Sequence, residues 1–378
     1  MKIAYLCNEY PPLPHGGIGT FVRTIAHGMR AAGHEVTVVG WRGTAGERDD
    51  SGVRVVTLPE CRTRRVAWIL NRYRLHRWLR REAENGRIDL IETPEFGGMM
   101  PFRFASCPVV VRLHQSATAI AAHTRRRAPF ALRWCEKRTL WLHRDWIAVS
   151  RFASDLTGQT FGFRGRRVAV VYSPVDEPSG VPPVPAGLPG RFVFYAGTVS
   201  RFKGAYVLAE AARVFLRNWA DLHLVYAGAL ADEGGGAADK KIREIAGPEL
   251  EARIRFLGRI RRCDVLACMR RAEVFAFPST LETFGIVIAE AMLQGCPVVV
   301  CRGGPCEEFV EHESNGLLVP TDDPQAVADA IERLLSDRVL ASRMAAKARE
   351  RIREMCSVER AVRSSLAFYE ECRADMES

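Results

Sequence analysis

At 378 residues the chain is too long for one ordinary core and suits two domains. It has no run of eighteen apolar residues, which excludes a membrane-spanning helix. The net charge of +10 is uneven: residues 1–175 hold 28 Lys and Arg against 14 Asp and Glu, a net of +14, which leaves 26 against 30, a net of −4, for residues 176–378. The excess is nearly all arginine and predicts an acidic partner for the first half: membrane headgroups, an anionic acceptor or nucleic acid. The eleven cysteines include no Cys-x-x-Cys, and the spacing of Cys296, Cys301 and Cys306 is not a zinc pattern, so buried, reduced thiols are expected. Met1–Cys7 runs straight into a short apolar strand without the apolar core and cleavage site of a signal peptide, which predicts a cytoplasmic protein.

In chain order, strands are expected at Ile3–Asn8, Glu35–Gly40, Val53–Leu58, Ile88–Glu92, Val109–His114, Trp146–Ser150 and Val168–Tyr172. A helix over Thr20–Ala32 is closed by Gly33, another covers roughly residues 63–84, and further helices separate the later strands. Six prolines between Ser173 and Gly190 permit neither helix nor central strand and read as a domain linker. The pattern then restarts with strands Phe192–Ala196, Leu222–Ala227, Arg253–Leu257, Val274–Phe277, Val298–Cys301 and Leu317–Val319. Helices fall near 204–217 and 263–271 and over Pro324–Leu335, and Ala231–Asp239, with three consecutive glycines, reads as a mobile loop. Such alternation predicts an α/β protein of two doubly wound parallel-sheet domains, 1–175 and 176–360, facing a cleft. In open α/β sheets ligands bind at the carboxyl ends of the strands.

The densest chemistry follows the strand Val274–Phe277, in the run Pro278-Ser279-Thr280-Leu281-Glu282-Thr283-Phe284-Gly285 and the apolar helix carrying Glu290. A helix start after a strand is an anion site, because its free N–H groups and the positive dipole end point outward. Glu282 is expected at or before that helix start, and Glu290 about two turns inside. A carboxylate in a buried helix needs a hydrogen-bond donor, and a ligand hydroxyl would serve. Were both glutamates helical, the rise would set their backbones about 12 Å apart, beyond the ~5–9.5 Å of a glycosidase pair.

Three further loops matter. Gly16-Gly17-Ile18-Gly19 lets backbone approach a ligand, yet Val22 stands where a dinucleotide fingerprint has its third glycine, and no acid ends the second strand, which argues against NAD. In Gly197–Gly204, Arg201 and Lys203 sit at a helix start, where cations oppose the dipole unless an anion is near, and a diphosphate suits both. His114 ends a buried strand, where it either contacts substrate or only bonds neighbouring backbone. The chain contains no Asp-x-Asp, so protein donors rather than a metal are expected to neutralise a diphosphate.

Taken together, Gly16-Gly17-Ile18-Gly19, Val111-Arg112-Leu113-His114, Gly197 to Gly204, Glu282-Thr283-Phe284-Gly285 with Glu290-Ala291-Met292, Gly303-Gly304-Pro305-Cys306-Glu307 and Asn315–Pro320 resemble family 4 glycosyltransferases of the GT-B fold over nearly the whole chain. The resemblance implies a retaining transferase that uses a nucleotide-activated sugar and needs no metal or other cofactor. It implies that Glu290 holds the ribose hydroxyls, Glu282 the donor sugar, and Lys203 the phosphates. Backbone N–H groups of Phe284 and Gly285, in the loop with Thr283, meet the diphosphate, as does the Gly16-Gly17 loop. His114 lies beside the reacting carbon, and a helix at about 361–378 packs back on the first domain. Thr198 stands where the family often has arginine, and Arg201 is the candidate replacement.

The first-domain arginines cluster in Arg62–Arg81 and Arg125–Trp134, interleaved with Trp, Tyr and Leu. That mixture suits either an anionic membrane surface, with a lipid-linked acceptor, or a solvated basic helix packed on its own sheet. A glycan or small-molecule acceptor is equally compatible. Nucleic acid is disfavoured by the absence of a recognition motif, whereas an epimerase or sugar synthase acting on soluble substrates remains the alternative enzyme. Glu95 is a further candidate for touching the acceptor.

Overall fold

A computed structural model describes residues 1–63, 65–124, 126–163, 166–177, 185–231 and 237–377. The chain forms two compact units, Met1–Pro174 with Cys356–Ser378, and Val175–Met355. In the first, β1 (Lys2–Leu6), α1 (Gly17–Ala31), β2 (Glu35–Gly40), β3 (Gly46–Asp50), β4 (Val53–Thr57), α2 (Ala67–Glu84), β5 (Leu90–Pro94), β6 (Val109–Leu113), α3 (Ala117–His123), α4 (Phe130–Leu142), β7 (Asp145–Ala148), α5 (Arg151–Phe161) and β8 (Arg167–Val170) follow one another. The second contains β9 (Arg191–Ala196), α6 (Ala205–Asn218), β10 (Leu222–Ala227), α7 (Ala238–Ala246), β11 (Ile254–Phe256), α8 (Arg262–Arg271), β12 (Val274–Phe277), α9 (Ile286–Leu293), β13 (Val298–Cys301), β14 (Leu317–Val319), α10 (Pro324–Ser336) and α11 (Arg338–Cys356). Finally α12 (Val358–Glu377) returns to the first unit.

The first sheet has the order β3-β4-β2-β1-β5-β6-β7-β8 and the second β11-β10-β9-β12-β13-β14. All pairings are parallel except β3 with β4. Each sheet grows outward in both directions from its first strand. The order in which strands are added therefore reverses between β1 and β5 and between β9 and β12, the crevices where doubly wound sheets take ligands. Strand β3, Gly-Glu-Arg-Asp-Asp, escapes the sequence reading because it is a mostly exposed edge with no apolar alternation. Its hairpin is made by Ser51 and Gly52, both at positive φ.

The second core is packed with rings: Phe192, Phe194, Phe275 and Phe277 are fully buried or nearly so, and Phe275 stacks on Phe277 at 6.0 Å. Each such burial stabilises by roughly 1.5–3 kcal/mol. Helix boundaries follow local chemistry. Ser116, Ser150 and Asp323 each accept a backbone N–H as N-caps of α3, α5 and α10, and Pro324 opens α10. Helix α12 lies against α1 at Gly28, where a Cβ would come within 2.5 Å of Val358 Cγ1. It also closes a buried network in which Arg112 grips Glu92 at 2.8 and 2.7 Å, Ser365 accepts from Arg112 at 3.0 Å, and Tyr369 donates to Glu92.

Of the proline-rich stretch, residues 173–177 and 185–190 carry no helix or strand, and 178–184 lie outside the described residues. Residues 232–236 of the glycine loop, and Arg64 and Arg125 of the basic segments, lie outside them too. Two arginines of the basic first half are internal, one of them, Arg72, within the segment Arg62–Arg81. Arg72 is buried and donates to the Gly97, Gly98 and Trp68 carbonyls, and Arg112 is 1% exposed.

Candidate active site

In the second unit the loops after β9 and β12 are stitched together. Thr280 N–H donates to the Phe202 carbonyl at 3.0 Å, and Thr280 Oγ1 and Ser279 Oγ reach the same oxygen at 3.2 Å. Gly204, at φ +75, is required twice over: a Cβ there would lie 2.0 Å from the Pro278 carbonyl oxygen. This seam sets Lys203 beside Glu282, Nζ to Oε1 at 2.7 Å, while Nζ also donates to the Leu281 carbonyl at 2.6 Å. Both side chains remain partly accessible, at 28% and 18%. Arg201 is exposed, its guanidinium 5.8 Å from the Tyr206 ring.

Helix α9 begins only at Ile286, with Gly285 as its N-cap at φ +85. Glu282 is therefore a loop residue, and Glu290 stands about one turn inside the helix rather than two. Thr283 is half-buried in the loop, and Phe284 is buried against Phe309 at 5.2 Å. The helix starts of α6 and α9, each capped by a left-handed glycine, leave first-turn N–H groups at this edge. Together they concentrate positive potential at the carboxyl ends of β9 and β12.

Glu290 is buried, but its donor is a protein group: Arg262 Nε lies 2.7 Å from Oε1. Arg262 also grips Asp176 at 2.8 and 3.2 Å. Burial raises the Glu290 carboxyl above the usual range against the pull of Arg262. Sequence reasoning missed this triad, although Arg261 and Arg262 at the start of α8 oppose its dipole just as Arg201 and Lys203 oppose that of α6. The helical-spacing argument about the two glutamates does not apply, because Glu282 is not helical. Each is instead engaged by its own cation.

In the first unit, Gly16 and Gly17 are exposed at the start of α1, where the Gly16 and Gly19 N–H groups donate to Glu9 Oε1 at 3.2 and 2.9 Å. This helix terminus thus already holds a carboxylate. His114 follows β6 and is 9% exposed, its ring edge-on to Phe21 at 4.7 Å. Burial, with Arg112 near, holds its imidazole down at about 3, so it is neutral at neutral pH. No protein group among the described residues hydrogen-bonds its ring nitrogens. Glu95 is wholly buried and accepts the backbone N–H groups of His114, Gln115 and Phe96 at 2.8, 2.6 and 3.2 Å, which corrects the expectation that it touches an acceptor.

A groove of about 1020 Å³ in the second unit is lined by Arg271, Glu273, Arg338, Arg349 and Arg353 and contains none of these loops. Arg338 is paired with Glu273, and Arg349 and Arg353 with Glu177. No group of three or more His, Cys, Asp or Glu suited to a metal occurs among the described residues.

Two doubly wound parallel-sheet domains, with a glycine-capped, cation-bearing edge after β9 and β12, have the GT-B fold. Residues 185–351 match the family described as Glycosyl transferases group 1, and residues 15–177 match Glycosyltransferase Family 4. The phosphatidyl-myo-inositol mannosyltransferase of Mycobacterium leprae is 30% identical over 365 residues, 93% of this chain and 92% of that protein. The chain belongs to glycosyltransferase family 4 and is an enzyme of the hexosyltransferase type. Among solved structures, sucrose-phosphate synthase from Thermosynechococcus elongatus superposes with a TM-score of 0.79 at 22% identity, covering 99% of both chains. Anabaena HepE in complex with UDP-glucose gives 0.74 at 21% identity, covering 100% of this chain and 99% of that one.

Proposed function

We propose that the enzyme moves a hexose from a UDP- or GDP-sugar to a glycan, lipid-linked or small-molecule acceptor, with retention of configuration and without a metal. The observation that carries this reading is the seam of the second unit, which presents Lys203 and two glycine-capped helix starts at one sheet edge. In this reading the first unit binds acceptor and the second binds donor. The bond from the anomeric carbon to the leaving phosphate oxygen breaks as the acceptor oxygen bonds to the same face of that carbon. The leaving phosphate takes the acceptor's proton. Lys203, Arg201 and the N–H groups around Phe284 and Gly285 stabilise the charge that grows on the phosphate.

Glu282 orients Lys203 and contacts the sugar, and Glu290 accepts from the ribose hydroxyls with its carboxylate steadied by Arg262. Thr283 borders the diphosphate, as do Gly16 and Gly17. His114, neutral and with both ring nitrogens available, hydrogen-bonds the sugar beside the reacting carbon. The M. leprae relative is named for mannosyl transfer to phosphatidyl-myo-inositol, and HepE was solved with UDP-glucose, so both sugar classes belong in the test.

A panel of UDP- and GDP-sugars, including mannosyl donors, with lipid and soluble acceptors should yield free nucleoside diphosphate and a new glycoside with the donor's anomeric configuration. An isomerised sugar nucleotide without a glycoside would support the epimerase reading instead, and transfer only to a free sugar the synthase. Full activity in EDTA is expected. Lys203→Ala should lower turnover by roughly 100-fold or more while the protein stays folded. Near-wild-type transfer by that variant would remove Lys203 from the mechanism.

A further inference from the structure

Two fully buried carboxylates in the first unit, Glu95 and Glu136, bind no cation. Both are spent on backbone N–H groups of the segment that carries His114. Just past the end of β5 the pairing with β6 continues by one bond, Glu95 N–H to the Arg112 carbonyl at 3.1 Å. The Glu95 side chain then receives His114 N–H on Oε2 at 2.8 Å and Gln115 N–H on Oε1 at 2.6 Å. Glu136, from α4, receives Ala117 N–H at 2.7 Å and Thr118 N–H at 3.0 Å, and reaches across to Gly97 N–H at 3.0 Å. Between the two anchors Gln115 is held at φ +142, a conformation that side-chain-bearing residues rarely adopt. Burial pushes the Glu95 carboxyl up to about 8, against the pull of the His114 and Gln115 N–H groups, so both oxygens are free to accept only in the ionised form that prevails above that pH.

We infer that Glu95 and Glu136 are positioning residues that fix the His114 imidazole against Phe21 for the transfer reaction, an inference that rests on the role proposed above for His114. Strand β6 fixes only the first half of the problem, because it ends at Leu113. What aims the histidine is the turn that follows, and that turn is strained. Glu95 can hold it only if both oxygens accept. In Glu95→Gln the amide nitrogen meets a backbone N–H, so either Gln115 or the His114–Phe96 side loses its partner. A misplacement of about 1 Å is enough to cost on the order of 100-fold in rate.

The test is a double-mutant cycle on the full chain, with the donor selected from the UDP- and GDP-sugar panel and nucleoside diphosphate release as the signal. Glu95→Gln should lower kcat by about 10- to 100-fold with donor KM changed by less than about threefold. In the His114→Ala background it should cause no further loss, while it shifts the thermal midpoint equally in both backgrounds. If Glu95→Gln multiplies the His114→Ala loss by its full factor, or leaves kcat at the wild-type value, the positioning role is overturned. If His114→Ala itself retains wild-type kcat, the role proposed for His114 fails instead. Should Glu95→Gln not fold, the same cycle with Glu136→Gln decides, since Glu136 anchors the other side of the turn.

Discussion

The candidate site handles its charges in closed pairs. Glu282 meets Lys203, and Glu290 meets Arg262, which is itself shared with Asp176. A buried carboxylate left without its cation loses about 3–5 kcal/mol, so Arg262 is needed both for stability and to keep Glu290 ionised and aimed. Arg262→Met should raise donor KM by roughly tenfold through loss of one charge-assisted contact and lower the thermal midpoint. The double variant Arg262→Met/Glu290→Gln should recover the midpoint but not the KM. Calorimetry beside donor titration separates the two, and recovery of KM in the double variant would show that Glu290 does not touch the nucleotide. Burial of Glu290 was legible in the apolar run around it, whereas its partner was not. Arg262 is 28 positions away and looks, in one dimension, like any surface arginine at a helix start.

At the scale of elements, the strand ends are aligned by glycines as much as by hydrogen bonds. Gly204 combines a left-handed backbone with contact against the Pro278 carbonyl. Gly204→Ala should therefore destabilise the second unit by about 2–4 kcal/mol and, by parting the loops after β9 and β12, depress turnover more than Lys203→Arg does. A chemical denaturation curve and an initial-rate assay check both halves. Most elements could be read directly, because buried parallel strands such as Val274–Phe277 and Val298–Cys301 are unbroken apolar runs. Strand β3 could not be read, because its residues are polar, mostly exposed and without apolar alternation. The start of α9 was misplaced because residues 281–285 resemble a first helical turn, whereas Gly285 at φ +85 delays the helix. Glu95, near two glycines, reads in one dimension as a candidate for touching the acceptor. Only the register of β5 on β6 brings it under His114.

Over the molecule as a whole, the basic first half divides between internal and external roles. Arg72 and Arg112 are structural. Outside the core, Trp68, Tyr73, Phe130 and Trp141 are 38, 48, 73 and 54% exposed, with Arg138 over the Trp141 ring at 5.1 Å. No helix among the described residues is long and apolar enough to cross a membrane. Aromatic side chains set among arginines suit adsorption to anionic headgroups. Wild-type protein should co-sediment with phosphatidylglycerol-containing liposomes at low salt and be released as ionic strength rises. Phe130→Ser/Trp141→Ser should weaken binding by about tenfold or more, and failure of the wild type to bind would remove a membrane from its partners. The path of the chain has a consequence of another kind. The first unit contains both the earliest strands and α12, with all of Val175–Met355 between them. During synthesis the ribosome therefore delivers the whole second unit before Ser365 and Tyr369 can reach Arg112 and Glu92. Until then the nascent first unit carries a buried ion pair without two of its partners, and its α1 surface at Gly28 stays uncovered. The second unit, contiguous in sequence, is free to fold first, and the first has to wait for it.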